Sequence, residues 1–310
     1  MFKDIKQVMK DSVLYGIGNV AVKLVGFILI PLYTDAEYFS TADYGLMGLL
    51  EVTSQILIAV MGLSLYSGLI RWYWDAEYRD KQKTIFFTTL LFTILTSLCI
   101  GSVLWLNVGE LSALLVQQEG YSLGGELPYI LQLLILTSML GAVVEVPQNL
   151  LRLQRKPIYY SLTNIVRLFV TLVLTIYFTI SLHRGVSGVY EAQLVGIVIQ
   201  LLMVLPLVIK NSSCRVDRRC TIQLLVYSYP LVFPAIVGSL LTVFDRYIIN
   251  HFQGLDDVGF YSLGYKVGNT LKVFIVTSVQ LALTPLLMKK MNDPDNKQFY
   301  SKVLTYFFLV

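Results

Sequence analysis

The feature that most constrains this chain is a succession of apolar runs of about 20 residues each, separated by short charged stretches. A helical run of that length spans the ~30 Å hydrocarbon core of a membrane. Of the 310 residues, 55% are hydrophobic and 14% are charged, whereas soluble domains average roughly 25% charged residues. The chain is therefore predicted to be an all-α, polytopic integral membrane protein.

The boundaries of the apolar runs predict eight complete spans. They lie near 12–34, 44–70, 85–106, 128–150, 158–182, 192–209, 226–249 and 258–286. A ninth run begins near Phe299, and the last residue, Val310, falls inside it. We therefore expect the sequence to be the C-terminally truncated part of a longer protein. The amphipathic segment 1–11 is expected to lie on the cytoplasmic membrane surface, because its apolar residues share one helical face opposite lysines.

The lysines and arginines predict the orientation of the chain. Most of the 24 lie in the N-terminal segment and in alternate connections near 71–83, 152–156, 210–219 and 289–302. The intervening loops hold only Arg184 and carry most of the loop acids. By the positive-inside rule, the N-terminus is predicted to be cytoplasmic, in a multi-pass protein of the cytoplasmic (inner) membrane.

A weak internal repeat relates the two parts of the sequence. Comparison of the chain with itself pairs Tyr33 with Tyr247, Asp43 with Asp257, and Gly45 with Gly259. Because the period equals six predicted spans, it predicts parallel six-helix lobes, a known transporter layout. The predicted division is a first lobe at 12–209, a basic inter-lobe loop at 210–225, and the start of a second lobe at 226–310.

Several ionisable residues fall inside predicted spans. The bases are Lys23, Arg167, Arg246, Lys266 and Lys272, and the acids are Glu51, Glu145 and Asp245. Each costs about 2.5 kcal/mol or more at the bilayer centre, so such residues face protein or water and are functional candidates. The excess of positive charge predicts an anionic substrate.

Helical spacing groups some of these residues into polar stripes. Lys23 shares a stripe with Tyr15 and Asn19, and Arg167 shares one with Asn164. Lys266 lies on a third stripe, and several such helices together predict an aqueous cavity. Glu51 and Glu145 could bind a coupling proton or cation, or could form structural ion pairs. Asp245 and Arg246, adjacent near the outer end of their helix, could form a structural pair, could snorkel to the interface, or could take part in transport.

Other kinds of site find no support in the sequence. The three cysteines and two histidines do not have metal-ligand spacing, so neither a metal nor a cofactor is expected. The bases form short clusters without a continuous face, so nucleic acid is not an expected partner. No nucleophile constellation is present in the longest outer loop, at 107–127, which argues against an enzyme.

Several short motifs occur together in this sequence: Tyr15-Gly16-Ile17-Gly18-Asn19 through Lys23-Leu24-Val25-Gly26-Phe27, Pro31-Leu32-Tyr33-Thr34, Asp43-Tyr44-Gly45, Ile70-Arg71-Trp72-Tyr73, and Asp245-Arg246-Tyr247-Ile248-Ile249 followed by Gly259 to Lys266. Their combination resembles the polysaccharide flippases, the Wzx-like polysaccharide-synthesis transporters of the superfamily that also contains the MATE drug exporters. Family members have twelve to fourteen helices in two lobes. This chain resembles the first lobe and the opening of the second.

The resemblance implies that an undecaprenyl-diphosphate-linked oligosaccharide crosses from the cytoplasmic to the outer leaflet by alternating access. Lys23 and Arg167, with Lys266 as a further candidate, would hold the diphosphate in a cationic cavity. Tyr15, Asn19 and Asn164 would contact sugars. Membrane lipids and other polysaccharide-assembly proteins are expected as partners. The alternatives are a MATE-like exporter of cationic drugs and, from another class, a membrane polysaccharide polymerase or ligase.

Overall fold

The computed structural model describes residues 28–115, 125–213 and 215–272, together with 297–298, 301 and 305. The N-terminal amphipathic segment, the ninth predicted span, and the candidate residues Tyr15, Asn19 and Lys23 lie outside the described residues.

The described part of the chain is α-helical and holds no strand, which confirms the predicted fold class. The helices are α1 (Ile30–Tyr33), α2 (Thr41–Gly62), α3 (Leu65–Trp72), α4 (Gln82–Leu106), α5 (Val108–Leu115), α6 (Leu127–Leu153), α7 (Pro157–Ile176), α8 (Gly185–Asn211), α9 (Arg218–Phe252) and α10 (Leu255–Lys272). A 3-10 helix, Ala76–Lys81, precedes α4, and a π-helical turn, Tyr177–Ser181, continues α7.

Six segments of the described chain are long and apolar enough to cross a membrane. They are Thr41–Gly62, Tyr78–Leu106, Leu127–Leu153, Pro157–Ser181, Gly185–Asn211 and Arg218–Thr242. They overlap the second to seventh predicted spans in order. Helix α6 is the most enclosed of them, with residues such as Ile130, Leu131 and Ile135 fully buried. Helix α7 instead directs Ile158, Phe169 and other apolar side chains outward, as expected of a lipid-facing helix.

The prediction of one continuous helix at 44–70 is wrong. Leu63 and Ser64 take left-handed backbone conformations, with φ of 44° and 51°, and divide α2 from α3. Such conformations are unfavourable for non-glycine residues, so surrounding contacts must hold them. The Ser64 hydroxyl donates to the Leu231 carbonyl at 3.3 Å, on α9. The break therefore depends on a contact made far along the chain, which local hydropathy does not reveal.

Helix α9 begins eight residues before the predicted start at 226, which shortens the predicted 210–225 loop. Asp217 is its N-cap, accepting backbone N–H groups of Arg219 and Cys220 at 2.9 and 3.4 Å. Such caps satisfy free N–H groups of the first helical turn. Lys81 donates to the same carboxylate at 2.5 Å and, through this hydrogen bond, lowers the pKa of Asp217. Arg218 and Arg219, which the sequence analysis placed in the loop, thus lie in the first turn of the helix.

The connections separate into two ends of the bundle. At one end the 3-10 helix and α4 meet the α8–α9 connection through Lys81–Asp217 and through Thr84–Ser213 at 3.1 Å. At the other end Arg184 pairs with Glu191 at 2.7 Å, and the Asn250 side chain donates to the Leu115 carbonyl. The first end carries the basic connections, and we call it the basic end. Its cytoplasmic location stays a prediction.

Helices α2 and α10 cross in backbone contact at the opposite end. A Cβ on Gly45 would lie 1.9 Å from the Leu255 carbonyl oxygen, and one on Gly259 would lie 2.4 Å from the Thr41 carbonyl oxygen. The internal repeat that pairs Gly45 with Gly259 also pairs Thr41 with Leu255. The contact is therefore reciprocal, as at a two-fold interface. We call residues 28–211 the first segment and residues 218–272 the second.

Candidate functional site

A cavity of about 490 Å³ lies where the two segments meet, between α2, α8, α9 and α10. Among the described residues, the charged ones that line it are Glu51, Arg246 and Lys266. Uncharged polar and aromatic side chains form much of the described wall: Tyr33, Tyr44, Ser54, Gln55, Tyr190, Gln193, Thr242, Ser262, Tyr265 and Asn269. Two bases and one acid give the described lining a net positive formal charge.

Arg246 is the most deeply buried of these three described charged residues, with 8% of its surface exposed. Its guanidinium lies over the ring of Tyr265, 4.6 Å from the centroid. Within the described chain, no acid lies at ion-pair distance from Arg246, and its Nε has no hydrogen-bond partner. Burial of a charge without a partner is costly. Arg246 is consequently suited to receive an anion.

The neighbouring carboxylate of Asp245 is engaged elsewhere. It accepts the backbone N–H of Arg246 at 2.8 Å and the hydroxyl of Tyr261 on α10. These bonds join α9 to α10 and leave the Arg246 side chain directed at the cavity. Asp245 and Arg246 are adjacent in sequence but make different contacts.

Lys266 enters the cavity from α10 and faces aromatic rings of the first segment. Its Nζ lies 5.3 Å from the ring centroid of Tyr33 and 5.9 Å from that of Tyr44. Both rings are buried. Glu51, on α2, lines the same cavity.

Arg167 and Asn164 lie in a separate polar cluster between α7 and α8. Arg167 donates to Gln200 at 3.1 Å, and Gln200 donates to Asn164 at 3.1 Å. Asn164 in turn donates to the Tyr160 carbonyl at 2.8 Å. Neither Arg167 nor Asn164 is among the described residues that line the 490 Å³ cavity. The structure therefore groups Lys266 with Arg246 and Glu51, and Arg167 with Asn164.

Glu145 lines a second cavity, of about 530 Å³, between α2, α6 and α9. Gln55 and Thr242 line both cavities, so the two adjoin. Glu145 lies in the C-terminal third of α6 (Leu127–Leu153), and that helix ends at the basic 152–156 connection.

Several lining residues have no counterpart in the sequence-based site, notably Tyr33, Tyr44, Tyr190 and Gln193. Tyr190 and Gln193 lie in the first turns of α8, which begins at Gly185, seven residues before the predicted start of this span at 192. For Tyr33 the sequence did contain an indication of importance, because the internal repeat pairs it with Tyr247. In the described part of the chain, no group of three or more His, Cys, Asp or Glu side chains could hold a metal ion.

Solved structures with the same fold are transporters of the MATE family and the wider MOP superfamily. The MATE multidrug transporter DinF-BH, solved as a ligand complex, matches with a TM-score of 0.70 and 15% identity, over 97% of this chain and 70% of that one. A mutant of the Vibrio cholerae MATE transporter VcmN matches with a TM-score of 0.66 and 16% identity, over 92% of this chain and 66% of that one.

A third structure is a MOP superfamily transporter from Pyrococcus furiosus, described as having a binding pocket of reverse polarity. It matches with a TM-score of 0.64 and 15% identity, over 96% of this chain and 68% of that one. This chain thus spans about two thirds of the length of these structures. At such identities the similarity defines the fold, which is MATE-like.

The family model described as polysaccharide biosynthesis protein matches residues 8–291. The chain belongs to this polysaccharide biosynthesis family. No curated protein matches the sequence in a direct comparison. Fold and family together identify a multi-pass membrane transporter and confirm the resemblance found in the sequence motifs.

Proposed function

We propose that the chain is part of a transporter that moves an undecaprenyl-diphosphate-linked oligosaccharide from the cytoplasmic to the outer leaflet by alternating access. The observation that carries this proposal is Arg246, a buried base without an acidic partner in the described chain, in the same cavity as Lys266. A diphosphate head group would neutralise both bases.

The physical basis is the strength of charge-assisted hydrogen bonds away from bulk water. An arginine offers a planar fork that matches two phosphate oxygens, and a lysine supplies a point charge. Coulombic attraction is greater in a poorly hydrated cavity than in water. The tyrosines and amides of the lining supply ring faces and hydrogen-bonding groups for sugars, the role that the sequence motifs predict for Tyr15, Asn19 and Asn164.

Lys23 and Arg167 remain proposed diphosphate ligands. Arg167 would act from the α7–α8 cluster, and its guanidinium has no acidic partner at ion-pair distance among the described residues. Glu51, Glu145 and Asp245 keep their proposed roles in ion coupling or pairing. We also propose that the transporter resides in the cytoplasmic membrane and is not an enzyme.

The second candidate is a MATE-like exporter of cationic drugs, which the shared fold favours. The charge of the cavity argues against it, because Glu51 is the one acid among the described lining residues, against two bases. A polysaccharide polymerase or ligase would act on the same lipid carrier, and the proposed test separates it from a transporter.

The test is complementation of a strain that lacks the complete gene. Without the transporter, complete unpolymerised lipid-linked units should accumulate on the cytoplasmic side. Arg246→Gln and Lys266→Gln should each fail to restore surface polysaccharide at near-normal protein abundance, while Arg246→Lys should restore part of it. Arg79→Gln, which removes an exposed base at the basic end, is the matched control and should complement fully.

Two outcomes would contradict the proposal. Unchanged lipid-linked sugars with altered drug sensitivity in the deletion strain would favour the exporter. Accumulation of unpolymerised units on the outer side would favour the polymerase or ligase.

A further inference from the structure

The contact between Lys266 and the two tyrosines joins the two segments. Lys266 belongs to α10 in the second segment, whereas Tyr33 ends α1 and Tyr44 lies in the first turn of α2. Its ammonium lies above both ring centroids, at 5.3 and 5.9 Å. A cation over an aromatic face is attracted by the ring quadrupole, and more strongly when both are desolvated.

The two rings are fixed by their own packing. The exposed fractions are 9% for Tyr33 and 7% for Tyr44, and their centroids are 6.2 Å apart. The ring of Phe39 packs edge-on against Tyr33 at 5.6 Å. The tyrosines therefore form a rigid surface that holds the ammonium in one place.

This contact continues the backbone crossing of α2 and α10 toward the cavity. Gly45 meets Gly259 at the crossing, and one turn along each helix Gly48 meets Ser262. Lys266 follows Ser262 by one further turn of α10. The contact of Lys266 with the two tyrosines therefore adds to the packing of α10 against the first segment that begins at the crossing.

An anionic head group in the cavity would compete with the rings for Lys266. A diphosphate carries full negative charges and accepts hydrogen bonds from the ammonium, whereas a phenol ring offers only its quadrupole. Transfer of Lys266 from the rings to the anion would remove one attachment between the segments. Binding would then weaken the α2–α10 contact on the side from which the substrate must leave.

We propose that Tyr33 and Tyr44 are positioning residues that hold Lys266 across the two segments, and that the anionic head group of the substrate releases it and loosens the α2–α10 contact. The proposal rests on the proposed function, since it assigns a conformational response to the same cavity. Its chemical trigger is an anion of the diphosphate class.

The test measures the distance between spin labels at Glu37→Cys and Asp256→Cys, two exposed positions near the crossing, in the intact chain in lipid nanodiscs with the native cysteines replaced. Without ligand we expect a short, narrow distance distribution. Inorganic pyrophosphate, used as the probe, should move it to longer distances. Lys266→Met should show the longer distances without pyrophosphate and should not respond to it.

Variants of the tyrosines separate ring attraction from packing. The Tyr33→Phe/Tyr44→Phe pair keeps both ring faces and should behave as wild type. The Tyr33→Leu/Tyr44→Leu pair should lengthen the distance without ligand. Tyr190→Leu is the control, because it removes another buried tyrosine of the cavity, one that makes no ring contact with Lys266 in the described chain.

The proposal would be overturned if the Tyr33→Leu/Tyr44→Leu variant had the wild-type label distance without ligand. It would also be overturned if Tyr190→Leu lengthened that distance as much as the Tyr33→Leu/Tyr44→Leu variant does. Pyrophosphate that binds wild type, by calorimetry, without changing the distance would also overturn it while leaving the proposed function intact. If Arg246→Gln and Lys266→Gln bind pyrophosphate as wild type does, the proposed anion site itself fails, whatever the distances show.

Discussion

Among single residues, Arg167 shows how a base in a predicted span is held by an uncharged amide, with no acid at ion-pair distance in the part of the chain that the structure describes. Within the described chain it is held by Gln200, which is 1% exposed and bridges it to Asn164. A neutral amide orients the guanidinium but does not neutralise it. The charge is therefore retained for a purpose other than ion pairing with the described residues, consistent with its proposed role toward an anion.

We expect Arg167→Gln, and likewise Lys23→Gln, to abolish most sugar translocation at near-normal membrane abundance. A glutamine at 167 can still hydrogen-bond Gln200, so packing is spared while attraction for the diphosphate is lost. A loss of about 1.4 kcal/mol already lowers occupancy roughly tenfold. Arg167→Lys should be partly tolerated, since lysine keeps the charge but loses the planar fork.

Membrane abundance and surface polysaccharide should be measured together. Loss of protein in step with polysaccharide would indicate a structural ion pair, because removal of one partner strands a buried charge. Wild-type polysaccharide in both glutamine variants would contradict the proposed role of these two bases as diphosphate ligands.

Among the helices, the crossing of α2 and α10 is the contact most sensitive to side-chain size. The groups that a Cβ on Gly45 or Gly259 would meet are backbone carbonyl oxygens, which cannot rotate away. The capping box of Ser40 and Asp43 begins α2 next to this crossing, with mutual hydrogen bonds of 2.9 and 3.1 Å. Local hydrogen bonds thus set the start of α2, and Gly45, which has no Cβ, then allows the backbone of α10 to approach closely.

Gly45→Ala and Gly259→Ala should each destabilise the fold by about 1–3 kcal/mol, the usual cost of overpacking. The measurement is thermal unfolding in detergent by intrinsic fluorescence. Gly264→Ala on α10 is the matched control, because no atom of the described residues lies within 4 Å of its added Cβ. There alanine should be neutral or should stabilise the helix by up to about 1 kcal/mol. An equal change of stability for Gly45→Ala and Gly264→Ala would show that α2 and α10 are not closely packed at the crossing.

For the whole molecule, the two ends of the bundle make the predicted orientation accessible to experiment. Native Cys220 is unsuitable as a reporter, because it is 3% exposed. In a chain with its native cysteines replaced, Arg79→Cys reports on the basic end and Glu110→Cys on the opposite end, and both native side chains are exposed.

An impermeant thiol reagent applied to intact cells should label position 110 and leave position 79 unlabelled. Both positions should react once the membrane is permeabilised, which controls for accessibility. Labelling at 79 in intact cells would invert the orientation. It would also place the α2–α10 crossing on the cytoplasmic side.

The sequence by itself determined the fold class, the order of the spans, and the alternation of basic and acidic connections. The first two properties follow from hydrocarbon thickness and backbone hydrogen bonding, and the third follows from the positive-inside bias of loop charges; each leaves a local pattern along the chain. The internal repeat that aligns Gly45 with Gly259 was also visible in the sequence, whereas the contact between these two glycines was not.

Only the tertiary structure decided which polar side chains meet. It placed Arg246 and Lys266 in one cavity and Arg167 beside Gln200, although hydropathy puts all three bases inside predicted spans and helical spacing puts only Lys266 and Arg167 on polar stripes. It also decided the break at Leu63–Ser64, which a carbonyl of α9 stabilises, and the aromatic surface under Lys266. Such contacts depend on how helices far apart in sequence rotate and cross. The periodicity of a single helix indicates which face is polar, but it does not indicate which helix packs against that face.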